Sequence, residues 1–307
     1  MDRRWAIRFA VLLEAPTNPE DVRDIEAVVR GFEASGYVLD QPLATTLFLL
    51  LRLGKPLLIE GHAGVGKTEV AKALASFLAV ELIRLQCYEG LDVNTAVYEW
   101  NYQKQLLAIK IHEKMEEEEI FSPKFLLERP LLRAIRAESV SPVLLIDEID
   151  RADEAFEAFL LELLSDFQIT IPELGTMCAR HRPHVILTSN RTRELSDALK
   201  RRCLYHWIDY PDFEKELEIV RVRARGVKPE LSAQTVGFVQ QIRGLDLSKP
   251  PGVAETLDCI HSLEALGKTR LDAAGAEATL GCIAKSVDDA TKIRSEGIER
   301  ILSRAAP

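Results

Sequence analysis

The chain of 307 residues is poor in several things, and each shortage excludes something. No stretch reaches the ~20 consecutive apolar residues that a membrane helix needs, so stable membrane insertion is not expected. Its five cysteines, Cys87, Cys178, Cys203, Cys259 and Cys282, include no pair at CxxC spacing. Scattered thiols in odd number argue against a disulfide framework or a zinc site and for a reducing compartment. Positive charge is also short: the net charge is -9. An acidic chain is poorly steered towards phosphate backbones, which argues against nucleic acid as the main partner. The N-terminus hints at a signal peptide, but Arg8 interrupts its apolar run and no small-x-small cleavage pattern follows, so a cytoplasmic protein is expected.

What remains is an ordinary globular composition, 47% hydrophobic and 28% charged. That length suits one large core or two unequal domains. Residues 1–20, with Pro16 and Pro19, read as irregular; 21–36 read as an amphipathic helix, and Gln41 to Leu53 as another, stopped by Gly54-Lys55-Pro56. Short apolar runs at Pro56–Glu60, Glu81–Gln86, Val143–Ile146 and His184–Thr188 suit buried parallel strands. They alternate with helical stretches such as Thr68–Leu78, which predicts an α/β fold with a parallel sheet. After Pro211 strand signals stop and helices are expected at 213–225, 232–243, 253–266 and along 273–303. The expected organisation is an α/β domain over 1–210 and a helical domain over 211–307. There is no internal repeat, and the acidic run Glu116–Glu119 reads as a solvated helix face.

Gly61-His62-Ala63-Gly64-Val65-Gly66-Lys67-Thr68 fits G-x-x-x-x-G-K-[ST] in full, between an expected strand and an expected helix. Glycines let such a loop turn its N–H groups towards phosphate oxygens, and the following helix, opening with Glu69, adds the positive end of its dipole. Lys67 suits the β- and γ-phosphates of ATP, and the Thr68 hydroxyl suits Mg²⁺. About 80 residues later, Val143-Leu-Leu-Ile-Asp147-Glu148 is an apolar strand ending in two acids. Asp147 is expected to hold the Mg²⁺ and Glu148 to polarise the attacking water.

Together with these motifs, His184-Val-Ile-Leu-Thr-Ser-Asn190 resembles the strand that ends in the sensor-1 residue of AAA+ ATPases, and Leu195–Arg202 resembles the segment carrying their arginine finger. Leu160–Leu164 followed by Gln168-Ile-Thr-Ile-Pro172 is similar to the hairpin insertion of the MoxR branch. Tyr98–Leu106 and Thr188–Leu195 resemble the CoxD-type ATPases, which serve cofactor maturation of molybdenum hydroxylases. The resemblance spans roughly residues 22–300. It implies an AAA+ P-loop NTPase fold with a C-terminal helical lid, ATP and Mg²⁺ as cofactors, a homo-oligomeric ring, usually a hexamer, a client metalloenzyme and a partner with a von Willebrand factor A domain. It further implies that Asn190 orients water with Glu148 and that Arg202, or else Arg201, reaches the nucleotide of a neighbouring subunit. Read from the residues alone, the two arginines are a basic helix end satisfying its last carbonyls.

One position departs from that pattern. Where the family commonly has a lid arginine, Lys249-Pro-Pro-Gly-Val-Ala-Glu255-Thr256 offers an acid. Either Glu255 caps a helix and Lys249 couples the lid to nucleotide, or Glu255 weakens ATP binding; capping is the expected reading. Three alternatives to a protein-remodelling ATPase share parts of this sequence: a nucleic-acid loader or helicase, a small-molecule kinase, and an ATP-gated scaffold with little turnover.

Overall fold

The computed structural model describes residues 22–111 and 117–305. The expected irregular segment 1–20, and Glu116 of the acidic run, lie outside the described residues. The chain divides into two compact units: one holds Leu39–Glu60 and Thr68–Trp207 with the residues up to Ser35, the other Gly36–Val38, Gly61–Lys67 and Ile208–Pro307. Among the described residues no helix is long and apolar enough to cross a membrane.

The first unit begins with helices α1 (Ile25–Ala34) and α2 (Gln41–Leu53), capped by Asp24 and Asp40, whose carboxylates accept from Ala27 and Leu43 N–H. Gly54 ends α2 in the left-handed conformation that glycine adopts freely. Strand β1 (Leu57–Gly61) is buried throughout and leads through the glycine loop into α3 (Lys67–Leu78), which starts one residue before the expected helix. Strands β2 (Leu82–Gln86), β5 (Val143–Asp147) and β8 (His184–Ser189) complete the expected set. Between β2 and β5, strands β3 (Tyr98–Trp100) and β4 (Leu126–Glu128) form a small antiparallel pair.

With Leu204–Ile208 as β9, the main sheet has the order β2-β5-β8-β1-β9, with β2, β5, β8 and β1 paired in parallel. Its edge strand β9 was not among the expected strands. Residues Val143–Ile146 are fully buried, as a central parallel strand covered on both faces requires. Helix α4 (Glu154–Asp166) is capped by Asp153 and followed by the antiparallel hairpin of β6 (Gln168–Ile171) and β7 (Gly175–Cys178). Phe156, Leu160, Leu163, Ile169 and Ile171 sink into the same core as Leu144 and Ile146.

The second unit is helical beyond the glycine loop: α5 (Phe213–Arg223), α6 (Pro229–Arg243), α7 (Val253–Ala265), α8 (Ala273–Ala278), α9 (Leu280–Ile283), α10 (Val287–Glu296) and α11 (Ile298–Arg304). The single stretch expected over 273–303 is therefore four short helices. Local chemistry explains the breaks: Asp272 and Ser286 cap α8 and α10, and Gly297 at φ 90° separates α10 from α11. Phe238, Ile242, Leu263, Ile283 and Ile293 form the core.

Candidate functional site

Asp147 and Glu148 lie in the first unit. Register places Gln86 of β2 opposite Asp147, the last residue of β5, and Asp147 is almost fully buried. A buried carboxylate needs donors, and Asp147 has them. Thr68 donates its hydroxyl at 3.0 Å, Thr188 donates at 2.5 Å, and Arg84 donates through Nε and Nη2 at 3.0 and 2.6 Å. Thr68 and Asp147, 79 positions apart in sequence, are thus in direct contact. A hydroxyl and a carboxylate are hard oxygen donors of the kind Mg²⁺ selects, so this pair fits the ion.

Arg84 is a site residue that the motifs did not mark. Nearby Cys87 is a weak nucleophile, its thiol pushed up to about 12 by burial and then by the charges of Asp147, Asp150 and Glu148. The free side chain is therefore a protonated thiol near neutral pH.

Glu148 follows Asp147 and takes φ 55°, ψ 49°. A non-glycine residue in this region is uncommon and costs on the order of 1–3 kcal/mol, a cost that clusters at functional positions. Its N–H donates to Thr188 Oγ1 at 2.9 Å, which holds the turn; its side chain is two-thirds buried, with the carboxylate 3.3 Å from Arg151. Asn190, at the end of β8, stands in an equally fixed turn. Buried Asp150 accepts from the N–H groups of Asn190 and Thr192 at 3.2 and 2.8 Å and from the Thr192 hydroxyl at 2.7 Å. Glu148 and Asn190 line one cavity of about 600 Å³, together with Glu89, Arg151 and Arg193. The sequence pattern did not mark Asp150 as the residue that ties these two segments together.

Both arginines, Arg201 and Arg202, are exposed, and Arg202 is bonded within its own chain. Arg202 donates Nε to Ser165 Oγ at 2.6 Å and Nη1 to Ala198 O at 3.0 Å.

The phosphate loop lies in the second unit. Gly64 and Gly66 have φ 75° and 95°, left-handed values that favour glycine. A Cβ on Gly61 would meet Ile208 O at 2.1 Å, so no side chain fits there either. Lys67 is buried, and its ammonium donates to Gly61 O at 2.8 Å and His62 O at 2.6 Å. His62 stacks on Tyr210 at 4.6 Å and stands 3.8 Å from Asp209. Ala63 is exposed and Val65 buried. Glu69, in the first turn of α3, pairs with Lys72.

Glu255 is a capping residue, as its place in the sequence suggested: its carboxylate accepts from Gly252 N at 2.9 Å at the start of α7. Lys249 is exposed, and its N–H donates to Asp289 at 3.2 Å.

A strand that runs through a glycine loop into a helix, and a further strand of the same sheet that ends in two acids, in a parallel sheet of this order, make the fold of an AAA+ P-loop NTPase. Residues 56–203 match the model of the AAA domain, dynein-related subfamily. Among proteins, the chain is 25% identical over 221 residues to an uncharacterized protein of Staphylococcus haemolyticus strain JCSC1435, covering 70% of this chain and 77% of that one. It is 24% identical over 231 residues to an uncharacterized protein of Staphylococcus epidermidis strain ATCC 12228, covering 73% and 81%. Among solved structures, a Thermotoga maritima RuvB mutant aligns over 87% of this chain and 73% of its own with 18% identity and a TM-score of 0.48. A Cytophaga hutchinsonii protein described as an ATPase aligns over 91% and 93% with 16% identity and a TM-score of 0.45.

Proposed function

We propose that this chain is a Mg-ATP-dependent ATPase that remodels a client protein. The observation that carries the reading is the hydrogen bond of 3.0 Å between Thr68 and Asp147, beside the strained turn that carries Glu148. Catalysis of phosphoryl transfer is largely positioning and charge stabilisation, and these residues divide that work. Lys67 and the loop N–H groups hold the β- and γ-phosphates. Thr68 and Asp147 would hold Mg²⁺, whose charge would offset that of the phosphates. Glu148 accepts the proton of the attacking water, with Asn190, lining the same cavity, orienting that water. An arginine from a neighbouring subunit of a ring completes the site. Arg201 suits this role better than Arg202, because Arg202 is engaged with Ser165 and Ala198 inside its own chain.

The resemblance of Tyr98–Leu106 and Thr188–Leu195 to CoxD-type ATPases supports a client of the molybdenum hydroxylase kind, a hexameric ring and a von Willebrand factor A partner. Replacing Lys67 with alanine tests the nucleotide reading. Lys67→Ala is expected to lose ATP binding, measured by titration with a fluorescent ATP analogue, and with it turnover. Binding at the wild-type affinity would show that the loop does not hold phosphate.

A further inference from the structure

The carbonyl of Gly64, in the middle of the phosphate loop, is held from outside. It accepts from Val253 N at 3.0 Å and Ala254 N at 3.4 Å, the first free N–H groups of α7. Those groups have no partner within their own helix and carry the positive end of its dipole. A trans peptide is planar, so its C=O and N–H point in opposite directions. Fixing the Gly64 carbonyl on α7 therefore turns the Val65 N–H away from α7. Val65 N–H is one of the loop donors on which the G-x-x-x-x-G-K-[ST] motif depends.

The fit between the two segments is tight. A Cβ on Gly252 would lie 2.7–2.8 Å from Gly64 C, Cα and O, all backbone atoms that cannot swing aside. From the other side, a Cβ on Gly64 would lie 2.9 Å from Glu255 Oε2, the atom that caps Gly252. The turn that presents Gly252 is clamped twice. Asp289 accepts from Ser248 N at 2.8 Å and Lys249 N at 3.2 Å. Arg243 donates to Pro251 O at 2.6 Å while its guanidinium is paired with buried Glu216.

We infer that α7 sets the donor geometry of the phosphate loop, with Gly252 and Glu255 as positioning residues, so that nucleotide affinity depends on a glycine-to-glycine contact. Here an acid that caps the helix does this work at the position where the sequence departs from its family. The inference rests on the phosphate-loop reading above, and the experiment separates the two.

Affinity for a fluorescent ATP analogue with Mg²⁺ is measured on the full chain carrying Gly252→Ala, Glu255→Ala, Glu255→Gln, Lys67→Ala or Ile283→Val. The last trims the helical core away from the loop. Amide exchange of Val253 and Ala254 is followed without nucleotide. Expected are a loss of about 10-fold or more for Gly252→Ala, equivalent to about 1.4 kcal/mol, with faster exchange of both amides. A smaller loss is expected for Glu255→Ala, restoration by Glu255→Gln, which keeps an oxygen acceptor, and no change for Ile283→Val.

If Lys67→Ala loses binding while Gly252→Ala and Glu255→Ala bind as the wild type does, the loop reading stands and the positioning inference is wrong. If Ile283→Val weakens binding as much as Gly252→Ala, the effect is general loosening and the inference is again wrong. Wild-type binding by Lys67→Ala overturns both. Should Gly252→Ala not fold, the Glu255 pair and the exchange data decide alone.

Discussion

Glu216 and Asp147 are both buried carboxylates gripped by an arginine, and they are not alike. Glu216, on α5, has no exposed side-chain surface, and Arg243 opposite it is only 6% exposed. The pair is bidentate, at 2.5 and 2.6 Å, and Thr256 and Gln240 each add a donor at 2.6 Å. Asp147 is as deeply buried, at 3%, but its partner Arg84 is 49% exposed. The difference separates structure from function. Arg243 cannot leave without abandoning a charge in the interior, which costs several kcal/mol. Arg84 can swing into water, where an exposed pair gains little over solvation. On the proposed reading, Asp147 therefore has one partner, Arg84, that an incoming cation can replace, whereas Arg243 is locked onto Glu216.

Breaking each pair from its arginine side sharpens this contrast. Arg243→Ala is expected to destabilise by about 3–5 kcal/mol, read as a lower urea midpoint with an unchanged slope. A loss below about 1 kcal/mol would remove the distinction. Arg84→Ala is expected to change stability by no more than about 1 kcal/mol. It should also lower the Mg²⁺ concentration that half-saturates nucleotide binding by about 2- to 5-fold, because Asp147 loses a competitor. A higher Mg²⁺ requirement would mean that Arg84 supports the metal site rather than competing for it.

Much of the fold is legible in the chain because its signals are local. Apolar runs mark β1, β2, β5 and β8, and Asp40 and Gly54 bracket α2 at its observed ends. The loop is legible for the same reason, since every residue of its motif is contiguous. Edge strand β9 is harder to see: Leu204-Tyr-His-Trp-Ile208 alternates poorly and lies only partly buried. Its aromatic content was the available signal. The breaks in the 273–303 stretch were written in Ser286 and Gly297, but helical periodicity across them masked the stops.

What sequence could not reveal are partnerships set by register and by tertiary approach. Arg84 meets Asp147 only because β2 and β5 align as they do. A lone arginine in Leu82-Ile-Arg-Leu-Gln86 was a faint sign of it. Asp150 ties Asn190 and Thr192 across 40 and 42 positions, and Gly252 meets Gly64 from far along the chain. Glu255 was readable as a cap because capping is local, but its closeness to Gly64 was not.

Glu148→Gln, studied for nucleotide binding and turnover in the same preparation, tests most directly whether Glu148 activates water. The substitution keeps size and polarity and removes the base. The expected result is ATP bound at near wild-type affinity and hydrolysed at least about 100-fold more slowly. Turnover at the wild-type rate, or loss of binding together with turnover, would contradict the assignment of Glu148 as the base that activates water.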